Sequence, residues 1–340
     1  MTSKTYRATL IEGDGIGPEI TDSTVRILEK LGAPFIWEKC AGGLGAIESS
    51  GVPLPEATLE SISRTGLALK GPLTTPVGKG FKSVNVTLRQ RFGLYANLRP
   101  TRTIIPGERF DHIDLVVVRE NIEGLYAANE YYLPLGDDPR AIACGGGFNS
   151  REECARIIRF ACDYAVANGR KKVTLVHKAN ILKIFSGLFL ETGRDIAQEY
   201  DGKITIDERI VDACAMQLVT DPWQFDVIVT TNLFGDILSD LTAGLVGGLG
   251  MAPGANIGEK AAIFEAVHGS APDIAGKNVA NPLALLMAGG LMLAHVGRHD
   301  LKQRLDDAIT RVVTTGGVRT RDLGGTSNTS EITTALLDAL

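Results

Sequence analysis

Hydrophobic runs of four to six residues alternate along the chain with segments whose apolar positions recur at helical spacing. Residues 113–118 and 225–230 are nearly continuous apolar runs, typical of strands buried on both faces of a parallel sheet. Residues 7–11, 173–176 and 204–206 are further predicted strands. Because helical segments separate them, the pattern predicts an α/β protein with a parallel or mixed sheet and flanking helices.

Start and stop signals predict where several helices begin and end. Pro18 favours a helix start, because its ring presets φ. Ser150 and Glu153 predict a capping box, with a helix that continues to Gly169. Further helices are predicted from about Gly235, over residues 301–313 and over residues 332–340.

Composition narrows the function classes. The 340 residues suit two domains, and 44% hydrophobic with 22% charged residues indicates a soluble globular chain. A formal net charge of -5 offers no basic field for a nucleic-acid backbone. The apolar stretch 283–296 is shorter than the about 20 residues that a membrane span needs, so it predicts a buried core helix. We therefore expect small-molecule substrates, with no nucleic-acid or membrane partner.

The cysteines and the first residues bear on localisation. The five cysteines are odd in number and form no CxxC pair, which favours reduced thiols in a cytosol-like compartment. Charged residues such as Lys4 and Arg7 interrupt the first twenty positions, unlike a secretory signal peptide. A cytoplasmic protein is the expectation.

Asp236 and Asp240 are two carboxylates four residues apart in the run NLFGDILSD. That spacing stacks both on one helical face, where like charges repel. A divalent cation would remove the repulsion, and carboxylate oxygens suit Mg²⁺ or Mn²⁺. A solvated acidic face beside a helix N-terminus is the alternative. The position after strand 225–230 favours a metal site, because the carboxyl ends of parallel strands face the ligand crevice.

Arg89, Arg99 and Arg119 are candidate carboxylate ligands, since the guanidinium fork matches a carboxylate. An isolated arginine is more commonly part of a surface ion pair. Arg119 directly follows the buried run 113–118. If the three arginines converge in the fold, they would specify a polycarboxylate.

Lys183, Tyr126 and Asp212 are candidates for proton transfer or metal binding. Lys183 follows strand 173–176, where it would bind substrate or handle protons, and a solvated lysine is the alternative. Tyr126 would act as an acid near developing negative charge, or pack. Asp212 would add an oxygen ligand, or serve in a cap or turn.

Two glycine-containing segments invite a nucleotide-binding interpretation. The early GDGIGP run lacks the third-glycine spacing of the dinucleotide fingerprint, so we interpret it as a strand-to-helix turn. Small residues over 265–282 permit close backbone approach to a ligand, or form a mere connecting loop. Within it, His268 would contact a nucleotide, and Asp273 would accept hydrogen bonds from a ribose diol and repel a 2′-phosphate.

Together these runs resemble the β-decarboxylating dehydrogenases, the isocitrate and isopropylmalate dehydrogenase family, over almost the whole chain. The resemblance is carried by GDGIGP, NLFGDILSD, GGLGMAPG and HGSAP. It implies the isopropylmalate dehydrogenase-like fold, which binds NAD without a Rossmann fingerprint, and an active site between two domains. The implied large domain comprises residues 1–99 and 256–340, and the small domain 100–255 carries the dimer contacts and the metal site.

The resemblance also implies an obligate homodimer with shared active sites. Lys183 and Asp212 would enter from the partner subunit, whereas Asp236 and Asp240 would come from the chain that supplies the arginines. The region 144–148 lies where the family has its dimer clasp. The cofactor-binding residues implied are His268, Gly269, Ser270, Ala271, Asp273, Ile274 and Asn281.

Substrate and cofactor choice follow from short segments within the resemblance. Isocitrate enzymes place Ser and Asn before the first arginine, as Ser83 and Asn85 stand here, whereas isopropylmalate enzymes place apolar residues there. NADP-using relatives carry Lys and Tyr where this chain has Asp273 and Ile274, a pattern that implies NAD. The segment 119–128 departs from the family pattern at three positions but keeps Tyr126.

The implied activity is metal-dependent oxidative decarboxylation of isocitrate to 2-oxoglutarate and CO₂ with reduction of NAD⁺. Homoisocitrate is the nearest alternative substrate, since discrimination by one methylene is worth only about 1–3 kcal/mol. 3-Isopropylmalate comes next. A non-catalytic regulatory member of a hetero-oligomer is the alternative class, and we expect such a protein to lack metal or proton-transfer residues. This chain keeps all five candidates for those roles, namely Tyr126, Lys183, Asp212, Asp236 and Asp240.

Overall fold

The computed structural model describes residues 4–75, 83–107, 110–315 and 317–340. Its strands are β1 (Tyr6–Ile11), β2 (Phe35–Cys40), β3 (Leu67–Lys70), β4 (Ala96–Arg102), β5 (Asp114–Glu120), β6 (Gly124–Leu135), β7 (Asp138–Phe148), β8 (Lys172–His177), β9 (Thr205–Ile210), β10 (Val227–Thr230), β11 (Pro253–Ile257) and β12 (Ala262–Ala266). Its helices are α1 (Gly17–Leu31), α2 (Leu44–Ser50), α3 (Glu56–Thr65), α4 (Val84–Arg91), α5 (Arg151–Ala167), α6 (Gly187–Ala197), α7 (Val211–Thr220), α8 (Asn232–Leu245), α9 (Leu283–His295), α10 (His299–Thr314) and α11 (Thr329–Ala339).

The chain divides into two compact units. Unit 1 comprises Met1–Leu94, Leu98–Asp114 and Thr242–Leu340, and unit 2 comprises Tyr95–Asn97 and Leu115–Leu241. In unit 1, β1 pairs in parallel with β2 and β3, and β12 pairs in parallel with β3 and antiparallel with β11. Helix α9 is apolar around most of its circumference and packs on β11 and β12, which confirms the predicted buried core helix.

Unit 2 is built on the parallel strand order β5, β10, β8, β9. Every residue of β10 is buried, and so are six of the seven residues of β5, which accounts for their continuous apolar runs. Helix α5 packs against β10 and β8. Strands β6 and β7 form an antiparallel hairpin with many exposed residues, which the strand predictions did not include.

The expected domain boundaries differ from the contact units. Residues 100–114 and 242–255 were expected in the small domain, but the contacts place them in unit 1. Strand β11 pairs with β12 along its whole length, and the turn Leu249–Met251 packs on α9. The hydroxyls of Thr101 and Thr242 also share a 3.0 Å hydrogen bond within unit 1. Strand pairing, packing on α9 and this side-chain hydrogen bond therefore tie parts of both segments to unit 1.

Helix ends follow the local signals in part. Pro18 lies in the first turn of α1 as predicted. Helix α8 begins at Asn232 rather than near Gly235, and α5 ends at Ala167 rather than Gly169. Ser150 accepts the backbone N–H of Glu153 at 3.1 Å, but the Glu153 carboxylate binds Arg156, so the structure does not show the reciprocal half of the predicted capping box.

The five cysteines are free thiols, as the sequence predicted. Among the described residues, none of the helices combines the length and the hydropathy that a membrane crossing requires.

Candidate active site

The buried arginine of unit 2 lies against the first turn of α8. Arg119 near the end of β5 pairs in register with Thr230 of β10, two positions before α8 begins. Its side chain is 1% exposed and donates to Asn232 Oδ1 from Nε at 3.1 Å and from Nη2 at 2.8 Å. Its Nη1 forms an ion pair with Asp236. A Cβ on Gly235 would lie 2.5 Å from Arg119 Cγ, so this glycine permits the close approach.

Tyr126 of β6 completes this cluster. Its hydroxyl donates to the second carboxylate oxygen of Asp236, and the Arg119 guanidinium lies 5.0 Å from its ring centroid. Burial and the bond to Asp236 raise the pKa of Tyr126 above its ordinary value. The phenol therefore holds its proton at neutral pH, which suits a proton donor.

Asp212 and Lys183 have separate surroundings in the structure. Asp212 lies in the first turn of α7, where it is exposed and ion-paired with Lys178. The hydrogen bond from Lys178 holds the pKa of Asp212 below its ordinary value. Lys183 is exposed and contacts no acidic group in the described part of the chain. Sequence reasoning missed Lys178, although it directly follows β8, at the edge where ligand-binding side chains collect.

The residues partly fit a divalent metal ion. Asp236 and Asp240 lie one turn apart on α8 and supply two hard oxygen donors. Across the described residues, no group of three or more His, Cys, Asp or Glu side chains is placed to hold a metal. Asp212 is therefore not assembled with Asp236 and Asp240 within one chain. That Asp212 joins them from a second protomer stays a prediction.

The turn between Arg119 and Tyr126 is held by two buried carboxylates. Glu120 accepts the backbone N–H groups of Ile122 at 2.7 Å and Glu123 at 3.0 Å. Glu123 accepts both the backbone N–H and the hydroxyl of Ser150 at 2.7 Å. Burial raises the pKa of Glu120 to about 7.

This pKa predicts a pH-dependent stability. Native Glu120 keeps its proton between pH 4.5 and about 7, where the unfolded chain has lost it, so the free energy of unfolding falls as pH rises through that window. Glu120→Gln keeps a hydrogen-bond acceptor at this position but has no carboxyl group to ionise. We expect it to match the wild type near pH 4.5 and to exceed it by up to about 3 kcal/mol at pH 8 in urea unfolding.

Exposed Glu60→Gln on α3 is the matched control and should leave the pH profile unchanged. Equal stability of Glu120→Gln and wild type at pH 8 would contradict the shifted pKa.

A second group of charges lies inside unit 1. Glu265 of β12 is 2.7 Å from Lys70 Nζ and 3.8 Å from Arg89 Nη2. Asn256 donates to Glu265 Oε1 at 2.7 Å. Burial alone would raise the pKa of Glu265, but Lys70 and Arg89 outweigh it and hold that pKa below its ordinary value. Sequence reasoning missed Lys70 and Glu265. Arg99 of β4 is nearly buried in unit 1 as well.

Ser83 and Asn85 border the same part of unit 1. Ser83 precedes α4, and its side chain makes no capping bond but accepts the Thr75 hydroxyl at 3.3 Å. Asn85 lines a small cavity with Lys70, Arg89 and Glu265. Its buried Oδ1 has no hydrogen-bond partner among the described residues, so a ligand group or water is needed to satisfy it.

The predicted cofactor loop follows β12. Ser270 is held from two sides: its carbonyl accepts the Ile16 N–H at 2.9 Å, and its hydroxyl bonds Thr74 at 2.7 Å. A Cβ on Gly15 would lie 2.0 Å from the Ser270 oxygen, so the early glycine turn supports this loop. Burial lowers the pKa of His268, and its buried Nε2 has no partner in the described structure. That unpartnered nitrogen fits a nucleotide group.

The remaining cofactor candidates differ in how far they are exposed to a ligand. Gly269, Ala271 and Asp273 are exposed, and Ile274 is half-buried. Ala271 has a φ of 40°, a strained conformation for a residue with a Cβ. Asn281 is committed within unit 1: it donates to Asp322 at 2.8 Å and accepts the Leu283 N–H at 2.9 Å.

Comparisons with known proteins all indicate the same family. The isocitrate/isopropylmalate dehydrogenase family model matches residues 7–336. A mitochondrial regulatory subunit of NAD isocitrate dehydrogenase from Dictyostelium discoideum is 46% identical, covering 99% of this chain and 92% of that protein. The isocitrate/homoisocitrate dehydrogenase of Thermus thermophilus is 45% identical, covering 98% of each. Other relatives are named as catalytic subunits of NAD isocitrate dehydrogenase and as 3-isopropylmalate dehydrogenase.

The solved structures agree. The crystal structure of isocitrate dehydrogenase from Methylococcus capsulatus matches with a TM-score of 0.95 and 52% identity, covering 98% of this chain and 99% of that one. The predicted α/β fold with a mostly parallel sheet and flanking helices is confirmed. The chain belongs to the isocitrate/isopropylmalate dehydrogenase family of oxidoreductases.

Proposed function

We propose that this protein catalyses oxidative decarboxylation of isocitrate to 2-oxoglutarate and CO₂ with reduction of NAD⁺. The observation that carries the proposal is the cluster of Arg119, Tyr126 and Asp236, which brings together a buried cation, a protonated phenol and a carboxylate. The proposal assigns them to a substrate carboxylate, to proton donation and to the metal ion. A bound NAD⁺, held by the loop that follows β12, would supply the hydride acceptor for C2 of isocitrate. With the hydroxyl proton removed as well, C2 would become a ketone, which would take up the electron pair of the neighbouring bond that releases CO₂.

Each residue has a role in this proposal. Arg89, Arg99 and Arg119 hold the substrate carboxylates, and Ser83 and Asn85 contact the γ-carboxylate. Tyr126 donates the final proton to carbon. Lys183 and Asp212 of a second copy remove the hydroxyl proton, which makes the homodimer the active form. A Mg²⁺ or Mn²⁺ ion, held by Asp236, Asp240 and the second copy's Asp212, would supply Lewis-acid stabilisation of the developing negative charge.

Substrate assays test this proposal directly. Purified wild-type protein should reduce NAD⁺ with isocitrate and Mg²⁺ at a higher kcat/KM than with homoisocitrate, because Ser83 and Asn85 follow the pattern of the isocitrate enzymes and one methylene changes the binding free energy by about 1–3 kcal/mol. 3-Isopropylmalate should be the poorest of the three, since its apolar group would face polar side chains. A higher kcat/KM for either other acid would replace isocitrate as the substrate.

A regulatory role in a hetero-oligomer is the second candidate function, because one of the relatives is named for such a role. A regulatory protein of this kind would show no turnover when expressed alone and would gain it only with a second polypeptide. Turnover by the isolated chain supports the catalytic proposal. Sedimentation of that same sample measures whether it is a homodimer.

We infer NAD⁺ preference from Asp273 and Ile274, and exchanging both tests it. Asp273→Lys with Ile274→Tyr replaces an exposed carboxylate, which would repel a 2′-phosphate, with a cation and a hydroxyl. The NADP⁺/NAD⁺ ratio of kcat/KM should rise by about tenfold or more. Asp307→Lys on α10 is the control for added charge alone. An unchanged ratio in the double variant would contradict the assignment.

A further inference from the structure

Asn232 has a buried side-chain amide whose oxygen accepts hydrogen bonds from one residue and whose nitrogen donates to another. It is 1% exposed, and its Oδ1 accepts both Nε and Nη2 of Arg119. Its Nδ2 donates to the backbone carbonyl of Glu123 at 3.1 Å. A guanidinium has only donors and a carbonyl only acceptors, so the opposite amide orientation would lose both contacts.

This amide connects Arg119 and Tyr126, two of the residues that the proposed function uses. Arg119 lies at one end of the turn 120–123 and Tyr126 lies beyond the other, on β6. Asn232 binds the guanidinium directly and holds the turn through the Glu123 carbonyl, while Glu123 is itself tied to Ser150. The position of one amide therefore bears on both side chains.

We propose that Asn232 is a positioning residue that directs the Arg119 guanidinium toward a substrate carboxylate and fixes the turn that carries Tyr126. A guanidinium has five N–H donors. Bonds to Asn232 use two of them, and the ion pair with Asp236 orients a third. The proposal assigns a remaining N–H of this guanidinium to a substrate carboxylate. This inference rests on the proposed function, because it requires that Arg119 binds substrate.

Asn232→Ala should change the two Michaelis constants unequally. The KM for isocitrate should rise by about tenfold or more, the change expected for losing a hydrogen bond to a charged group, and kcat should fall. The KM for NAD⁺ should change by less than about twofold. A merely structural role would lower the fraction of folded enzyme and leave both KM values unchanged.

A double-mutant cycle with Arg119→Lys supplies the decisive test. Lysine keeps the positive charge but removes the fork that binds Asn232 Oδ1. If Asn232 acts through Arg119, Asn232→Ala should reduce kcat/KM much less in the Arg119→Lys background than in the wild type. Equal losses in both backgrounds would overturn the proposal.

Thr230→Val is the matched control. Thr230 lies two positions before Asn232, and its buried hydroxyl donates to the Val176 carbonyl at 2.8 Å, away from Arg119. This variant should leave both KM values unchanged, and its effect on kcat/KM should be the same with Arg119 as with Arg119→Lys. If Asn232→Ala does not fold, Asn232→Ser enters the same cycle. If the wild type turns over another acid of the class at a higher kcat/KM than isocitrate, that acid replaces isocitrate as the substrate, and the cycle is then measured with it.

Discussion

Asp240→Asn should lower isocitrate turnover by about a hundredfold or more while the protein stays folded. Asp240 is exposed on α8, so the fold does not depend on burying it. The substitution removes one anionic oxygen from the proposed metal site, and an amide is a weaker ligand for a hard cation. The measurement is kcat/KM against Mg²⁺ and Mn²⁺ concentration, with circular dichroism to verify folding.

Asp338→Asn on α11 makes the same chemical change on another helix and should leave the metal titration unaltered. Asp236→Asn should also lower turnover, and in addition it removes the ion pair with Arg119. Full activity of Asp240→Asn, or of the wild type in excess EDTA, would show that the reaction does not use this metal site.

The sequence predicted those parts of the fold that depend on local periodicity. Continuous apolar runs marked β5 and β10, and the apolar stretch at 283–296 became α9, because residues covered on both sides have no polar face. The hairpin of β6 and β7 was not predicted. It exposes apolar side chains such as Leu133 and Leu135, so its sequence does not show the pattern of a strand with one buried face. Alternation of polar and apolar residues indicates a strand only where one face is buried.

The candidate site was predicted as residue types and not as contacts. Arg119 and Asp236 were both selected, but their ion pair joins residues 117 positions apart. Periodicity indicates that a side chain is buried, without indicating which distant group neutralises it. Lys178 and Glu265 were missed for the same reason. Asn232 was visible in its motif, but only the fold shows that one amide serves Arg119 and Glu123 together.

Glu265→Ala should cost about 3–5 kcal/mol of unfolding free energy, the range for breaking a buried charge pair from one side. Glu265 lies between Lys70 and Arg89, and the Lys70 side chain is 2% exposed. Removing the carboxylate leaves Lys70 without its counter-charge at a position that is almost closed to bulk solvent. Urea unfolding of wild type and variant at pH 7 measures the loss.

Glu38→Ala is the control for this expectation, because Glu38 also binds two cations, Arg7 and Arg64, whose side chains are 66% and 60% exposed. Its loss should be much smaller, since water solvates the two released guanidinium groups. The difference between wild type and Glu265→Ala should also narrow as pH falls below 4.5, because a carboxylate with a lowered native pKa contributes stability that is lost on protonation. Equal losses at Glu265 and Glu38 would mean that burial adds nothing to the first pair, and that the charges around Arg89 are solvated in the folded protein.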